Sequence, residues 1–225
     1  MSNPVIVAID GPSGTGKSST SRAVATRLGL SYLDTGAMYR AMTWWMLTNG
    51  VDVNDAEAVA GHAGKPAIVS GTDPEAPAIT VDGVDAAAPI RTRQVTEAVS
   101  AVSAVPEVRA RLVDIQRAVA AAAPGGIVVE GRDIGTTVLP AATVKIYLTA
   151  SAEARAARRS GELKGAQTVA ETQAALVRRD AADSGRTTSP LAKAEDAIEV
   201  DTTELTLEQV VEQVVALVGE KRAAR

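Results

Sequence analysis

Residues 11–18 read Gly11-Pro12-Ser13-Gly14-Thr15-Gly16-Lys17-Ser18 and fill every fixed place of the pattern G-x-x-x-x-G-K-[ST]. The flanks are those the pattern needs. The apolar run Val5–Ile9 before it reads as a buried parallel strand, and Ser18–Leu28 after it as a helix stopped at Gly29. Glycines at 11, 14 and 16 let the backbone curl with its N–H groups pointing inward, beside the positive end of a helix. Such a loop is an anion nest. Lys17 adds a point charge suited to β- and γ-phosphates, and the Ser18 hydroxyl suits Mg²⁺. Residues 11–19, ending at Ser19, are therefore the expected ATP-binding segment.

Composition narrows the remaining choices. At 225 residues the chain fits one domain carrying small inserted lobes. The 46% of apolar residues can build a full core, but it is aliphatic: there is no Phe, with two Trp and three Tyr. Stacking platforms for single-stranded nucleic acid need aromatic faces, so that class is disfavoured. A net charge of −4 without long runs of one sign predicts neither a nucleic-acid nor a membrane surface. Without cysteine there are no disulfides and no thiolate metal sites. Val5–Ile9 is too short for a signal or membrane segment. The expectation is a cytoplasmic, monomeric enzyme with no nucleic-acid or membrane partner.

Working outward from the loop, Ser31–Asp34 reads as a second strand, with Thr35 as N-cap of a helix running to Leu47 and ended by Asn49-Gly50. Residues 64–90 hold four of the ten prolines, which excludes a long helix. Ala67–Ser70 and Ala78–Val81 read as short strands, and Asp82-Gly83 as a tight turn into a third. This predicts a small antiparallel β lobe inserted within residues 60–105. Thr92–Ala104 and Glu107–Ala123 read as helices, Ile127–Val129 and Val144–Leu148 as further core strands. Ser151–Ser160 reads as a helix, and Thr168 with Glu171 forms a capping box that opens another, to Asp183. Ala197–Val200 is a last strand before an amphipathic helix from Thr206. Strands alternating with helices predict an α/β, three-layer fold with a parallel central sheet.

Ligands in such folds sit at the carboxyl ends of strands. Two polar motifs fall there: residues 34–40 (D-T-G-A-M-Y-R) and residues 130–135 (E-G-R-D-I-G). Arg132-Asp133 between glycines is placed to meet a polar ligand, the Arg grasping phosphate and the Asp accepting from an amino group. Arg155, Arg158 and Arg159 share a helical face, and Arg178, Arg179 and Arg186 follow. The glycine-bounded segment Gly161–Gly165 joins the two groups, which predicts a short lid over residues 155–185. A triphosphatase needs one phosphate-binding cluster, whereas several separated arginines suit a second, phosphate-bearing substrate. The residues thus read as a kinase of a phosphorylated small molecule. A kinase of another small acceptor, such as shikimate or dephospho-coenzyme A, stays open, as do a nucleotide switch and an idle nucleotide-binding module. Against a guanine-nucleotide switch, the chain has no N-K-x-D motif.

Over nearly its whole length the chain resembles the bacterial cytidylate kinases, which are P-loop nucleoside monophosphate kinases. The resemblance rests on residues 11–18, L-D-T-G-A-M-Y-R at 33–40, I-R-T at 90–92, V-S at 99–100, P-E-V-R at 106–109, G-R-D-I-G-T at 131–136 and R-D-A-A-D-S-G-R at 179–186. It implies Mg²⁺-dependent transfer of the γ-phosphoryl group of ATP to CMP or dCMP. It also implies Lys17, Arg132 and Arg186 as catalytic cations, with Arg40, Arg132 and Arg186 clamping the monophosphate. Ser100, Arg109 and Asp133 are implied as cytosine readers, and Arg179 and Asp183 as ribose contacts, with Thr35 beside them. Cytosine offers acceptors at O2 and N3 and a donor at its 4-amino group, which complements a cationic donor and a carboxylate. The chain departs from the pattern at Glu130, where many relatives carry Asp.

Overall fold

The structure is a computed structural model that describes residues 4–162 and 168–223. β1 (Val5–Asp10) leads through the glycine loop into α1 (Lys17–Leu28), followed by β2 (Ser31–Asp34), α2 (Thr35–Thr48) and α3 (Ala56–His62). Three short strands come next, β3 (Ile68–Ser70), β4 (Ile79–Val81) and β5 (Val84–Asp85), then α4 (Arg93–Ala104) and α5 (Pro106–Ala122). The chain continues through β6 (Gly126–Glu130), β7 (Val144–Thr149), α6 (Ala152–Glu162), α7 (Val169–Ser184), β8 (Ile198–Asp201) and α8 (Leu207–Ala223).

The longer apolar strands form one parallel sheet in the order β2-β6-β1-β7-β8. Alternation along the strands sorts their side chains into two cores. Val5, Val7, Ile9, Tyr32 and Leu148 pack with Val24 of α1 and Val210, Val211 and Val214 of α8. Ala8, Leu33, Ile127 and Val129 pack on the other face with Met38, Met42 and Met46 of α2, Val99 of α4 and Leu112 of α5. Because β1 lies between β6 and β7, the chain leaves its end at the point where strand order reverses. That is where an open α/β sheet offers a crevice. Gly11 is required there: it has φ +145°, and a Cβ would sit 2.2 Å from the Leu148 carbonyl oxygen.

The proline-rich insertion forms an antiparallel sheet in the order β3-β4-β5. Asp82 and Gly83 both have positive φ (52° and 80°), as a two-residue hairpin turn with the sheet's own twist demands. Ile68, Ile79 and Val81 bury into the same core as α2, and Trp45 Nε1 donates to Asp82 Oδ2 at 2.7 Å. The lobe is thus anchored on α2.

Three local features differ from the sequence expectation. Asp34, not Thr35, caps α2: its carboxylate accepts from Ala37 N at 2.9 Å, and Thr35 is the first helical residue. The Thr35 hydroxyl is engaged elsewhere, donating to the Glu130 carbonyl oxygen at 2.7 Å. Residues 56–62 form a seven-residue helix, too short for periodicity to reveal, capped by Asp55 through Glu57 N and Ala58 N. After β6 the chain makes a π-type turn over Ile134–Val138 instead of an open loop. Residues 163–167 of the expected lid lie outside the described residues.

Asp10 holds that π-type turn. Oδ1 accepts from Ile134 N at 2.8 Å and Oδ2 from Gly135 N at 2.7 Å. Burial pushes its carboxyl up to about 6, against the downward pull of the two amides. The native chain therefore binds this proton more tightly than the unfolded chain. Stabilisation from Asp10 is full below the unfolded value of 3.8 and is lost as pH rises through about 6. The wild type should lose about 2 kcal/mol of stability relative to Asp10→Asn between pH 4 and pH 7. Urea melts of both proteins at the two pH values measure it.

Candidate active site

The crevice at the end of β1 is lined by groups from the glycine loop, β6 and its turn, α2, and α7. Lys17, in the first turn of α1, is buried and donates from Nζ to the Pro12 carbonyl at 2.6 Å. Its ammonium is held well below the ordinary lysine range, first by burial and then by the positive charge of Arg132. Ser18 Oγ donates to Glu130 Oε2 at 2.9 Å, and Tyr32 donates to the other oxygen of the same carboxylate. Burial pushes Glu130 up to about 7. Ser13 and Thr15 are buried in the loop, whereas Ser18 and Ser19 are exposed.

Arg132 ties the two halves of the crevice together. Its Nη1 donates to the Gly11 carbonyl at 2.8 Å, Nη2 to Ser13 Oγ at 2.6 Å, and Nε to Asp183 Oδ2 at 2.9 Å. Arg40 of α2 donates to Thr96 Oγ1 at 2.9 Å and to the Ile90 carbonyl at 3.3 Å. Burial and then neighbouring arginines lower Arg40 to about 10 and Arg179 to about 9; Arg132 is among the charges acting on both. Arg186 donates from Nε to the Asp183 carbonyl at 3.1 Å, and its Nη1 stands 3.9 Å from Asp183 Oδ1. Lys17, Arg40, Arg132 and Arg179 therefore share one electrostatic field, which an anion would neutralise.

Deeper in, Arg109 of α5 and Asp133 form an ion pair at 2.5 Å, with side chains 2% and 5% exposed. The Arg109 guanidinium carbon lies 5.2 Å from the centre of the Tyr39 ring, and Nη1 donates to the Ser103 carbonyl at 3.3 Å. Ser100, half-buried one turn earlier on α4, accepts at its carbonyl from Ser103 Oγ at 3.2 Å.

The three arginines of α6 part company. Arg155 reaches the glycine loop, donating to the Ser13 carbonyl at 3.1 Å, and pairs with Asp180. Arg158 turns to the end of β8, where it donates to Thr202 Oγ1 at 2.8 Å and to the Thr202 carbonyl. Arg159 pairs with Glu162 at 2.7 Å. The sequence motifs that contain Tyr39 and Asp180 assign no role to either, and Asp10 lies outside them. The acidic end of the otherwise apolar run V-I-V-A-I-D was the available signal for Asp10; Asp180 had none beyond its arginine neighbours.

Comparison with known proteins adds to this geometry. A family model described as "Cytidylate kinase" matches residues 7–220. The cytidylate kinase of Streptomyces coelicolor is 75% identical over 98% of this chain and 95% of its own length. That of Streptomyces avermitilis is 72% identical, with the same coverage. Among solved structures, an uncharacterized protein from Eubacterium ventriosum superposes with a TM-score of 0.54 at 10% identity, covering 97% of this chain and 99% of its own. It supports the fold alone.

The buried Arg109–Asp133 pair makes a stability prediction. Asp133→Ala leaves the Arg109 charge uncompensated and should cost about 3–5 kcal/mol, whereas Arg109→Met combined with Asp133→Leu should cost far less. Chemical denaturation of the three proteins measures the difference.

Proposed function

The chain belongs to the cytidylate kinase family and transfers the γ-phosphoryl group of ATP to CMP or dCMP, giving ADP and CDP or dCDP; we propose the following division of labour among its residues. The loop amides of residues 11–19 and Lys17 hold the ATP phosphates. Arg40, Arg132 and Arg186 clamp the monophosphate, and Arg179 and Asp183 hold the ribose with Thr35 nearby. The observation that carries this reading is Arg132, which bonds to the glycine loop at Gly11 and Ser13 and to Asp183 at the same time. One side chain thus joins the triphosphate loop to the residue that holds the acceptor's ribose. Phosphoryl transfer asks the protein mainly for positioning and for charge on the equatorial oxygens, which Lys17 and the arginines supply. No catalytic base is needed, because the attacking oxygen of the monophosphate is already anionic.

Mg²⁺ is the expected companion of ATP, and the residues fit it. Ser18 Oγ and the Glu130 carboxylate, 2.9 Å apart, are hard oxygen donors. Ser18 and Glu130 would hold the ion, which would supply positive charge against the phosphates.

Arg109 and Asp133 read the base, with Ser100 at its edge. Arg109 donates toward O2 and N3, and Asp133 accepts from the 4-amino group. Uracil would turn an oxygen toward the buried carboxylate, a costly mismatch. The residue set for both substrates comes from one chain, so the enzyme acts as a monomer. No helix among the described residues is long and apolar enough to cross a membrane, and we place the enzyme in the cytoplasm with its dissolved substrates. Residues 60–105 form the monophosphate-side lobe and 155–185 the lid of a single kinase domain.

ADP release with CMP, dCMP, UMP, AMP and shikimate offered in turn tests the acceptor; turnover confined to CMP and dCMP is expected. Lys17→Met should lower kcat about 1,000-fold while leaving the melting temperature within a few degrees. Asp133→Asn should raise the UMP-to-CMP ratio of kcat/KM about tenfold or more, and an unchanged ratio would remove Asp133 from base reading.

A further inference from the structure

Ser13, at the crown of the glycine loop, is gripped at three points by side chains from outside the loop. Its hydroxyl accepts from Arg132 Nη2 at 2.6 Å, its carbonyl accepts from Arg155 Nη1 at 3.1 Å, and its N–H donates to Asp180 Oδ1 at 3.2 Å. Arg155 belongs to α6 and Asp180 to α7, and the two pair with each other, with side chains 12% and 18% exposed. The grip is close on the next residue too: a Cβ on Gly14 would lie 3.0 Å from the Arg155 carbonyl oxygen.

The third of these contacts is the unusual one. The loop's backbone N–H groups and helix dipole suit anions, and the N–H of Ser13 within that loop is given to a carboxylate of its own chain. The arginine beside it, which could meet a phosphate bidentately, is engaged by the same carboxylate. Arg158 and Arg159 on the same helix are held by Thr202 and Glu162, away from Ser13.

We propose that Asp180 is a positioning residue that stands in for phosphate charge at the crown of the loop, holding the Ser13 amide and Arg155 in place and yielding both to the polyphosphate of the nucleotide. The inference rests on the reading of residues 11–19 as the triphosphate segment. An anion that must be displaced subtracts from the affinity of every nucleotide that uses the loop, ATP and ADP alike. Binding of that uniform kind adds nothing to the chemical step, and excess of it slows product departure. Asp180 therefore holds nucleotide affinity down and keeps ADP release fast. It also links α6 and α7 to the loop through one charge, so that loading the loop frees Arg155 to face the phosphates.

The test is calorimetric titration of the full chain and of Asp180→Asn with MgATP and with ADP, alongside steady-state turnover with CMP. Removing the competing charge should tighten both dissociation constants at least about fivefold, because a unit charge this close to a polyphosphate is felt strongly. Slower ADP release should lower kcat at least about threefold at the same time. A merely structural role predicts weaker binding. Asp180→Ser, with a shorter neutral side chain, repeats the measurement and carries the test if the first variant does not fold. Unchanged or weaker nucleotide binding in a folded variant, with Lys17→Met still impaired, overturns the inference alone. ATP binding by Lys17→Met as tight as by the wild type would remove the loop reading and the inference with it.

Discussion

Five cations, Lys17, Arg40, Arg132, Arg179 and Arg186, are buried or half-buried around one crevice, and the fold has to hold them together against their own repulsion. Carboxylates placed on separate elements do this. Asp183 on α7 faces Arg132 and Arg186, and Glu130 at the end of β6 acts on Lys17. Asp133, after β6, pairs with Arg109 deeper in. Since these acids sit at strand ends and on α7, the charge arrangement depends on the sheet order that brings β1 and β6 side by side. Burial first, and the neighbouring arginines after it, lower Arg40 and Arg179 despite these carboxylates.

That arrangement also explains why the site is built from so many parts of the sequence. A single helix bearing five cations would repel itself along its length and could not converge on one point. Contributions from the loop, α2, the turn after β6, and α7 let the charges arrive from different directions, Lys17 and Arg40 against carbonyl acceptors and Arg132 and Arg186 against Asp183. Asp10 secures the geometry beneath them, since the two amides it accepts from fix the turn that carries Arg132 and Asp133.

Much of this was legible in the residues. Residues 5–18 carry both the β1 strand and the glycine loop, because a buried strand and a φ-permissive turn each leave a local signature. The hairpin turn at Asp82-Gly83 was readable for the same reason. Less visible were features that depend on contacts distant in sequence. Thr35 looked like a helix cap by composition, yet its hydroxyl goes to Glu130, 95 residues away, and Asp34 takes the capping role. The common helical face of Arg155, Arg158 and Arg159 suggested a shared task, but rotamers and neighbours send the three to Ser13, Thr202 and Glu162. Periodicity fixes which side of a helix a residue occupies; it does not fix what waits there. The α3 helix escaped notice because seven residues are too few to establish a period.

The absence of phenylalanine leaves the core almost wholly aliphatic, and both tryptophans, Trp44 and Trp45, lie on α2 against the core that α2 shares with the inserted lobe. The opposite face of the sheet, where α1 and α8 pack, contains no indole. Tryptophan emission from this protein is therefore spatially one-sided. It is a built-in optical probe of the lobe and of the helix bearing Arg40, blind to the packing of α8, with Asp82 as a potential quencher bonded to one of its two fluorophores.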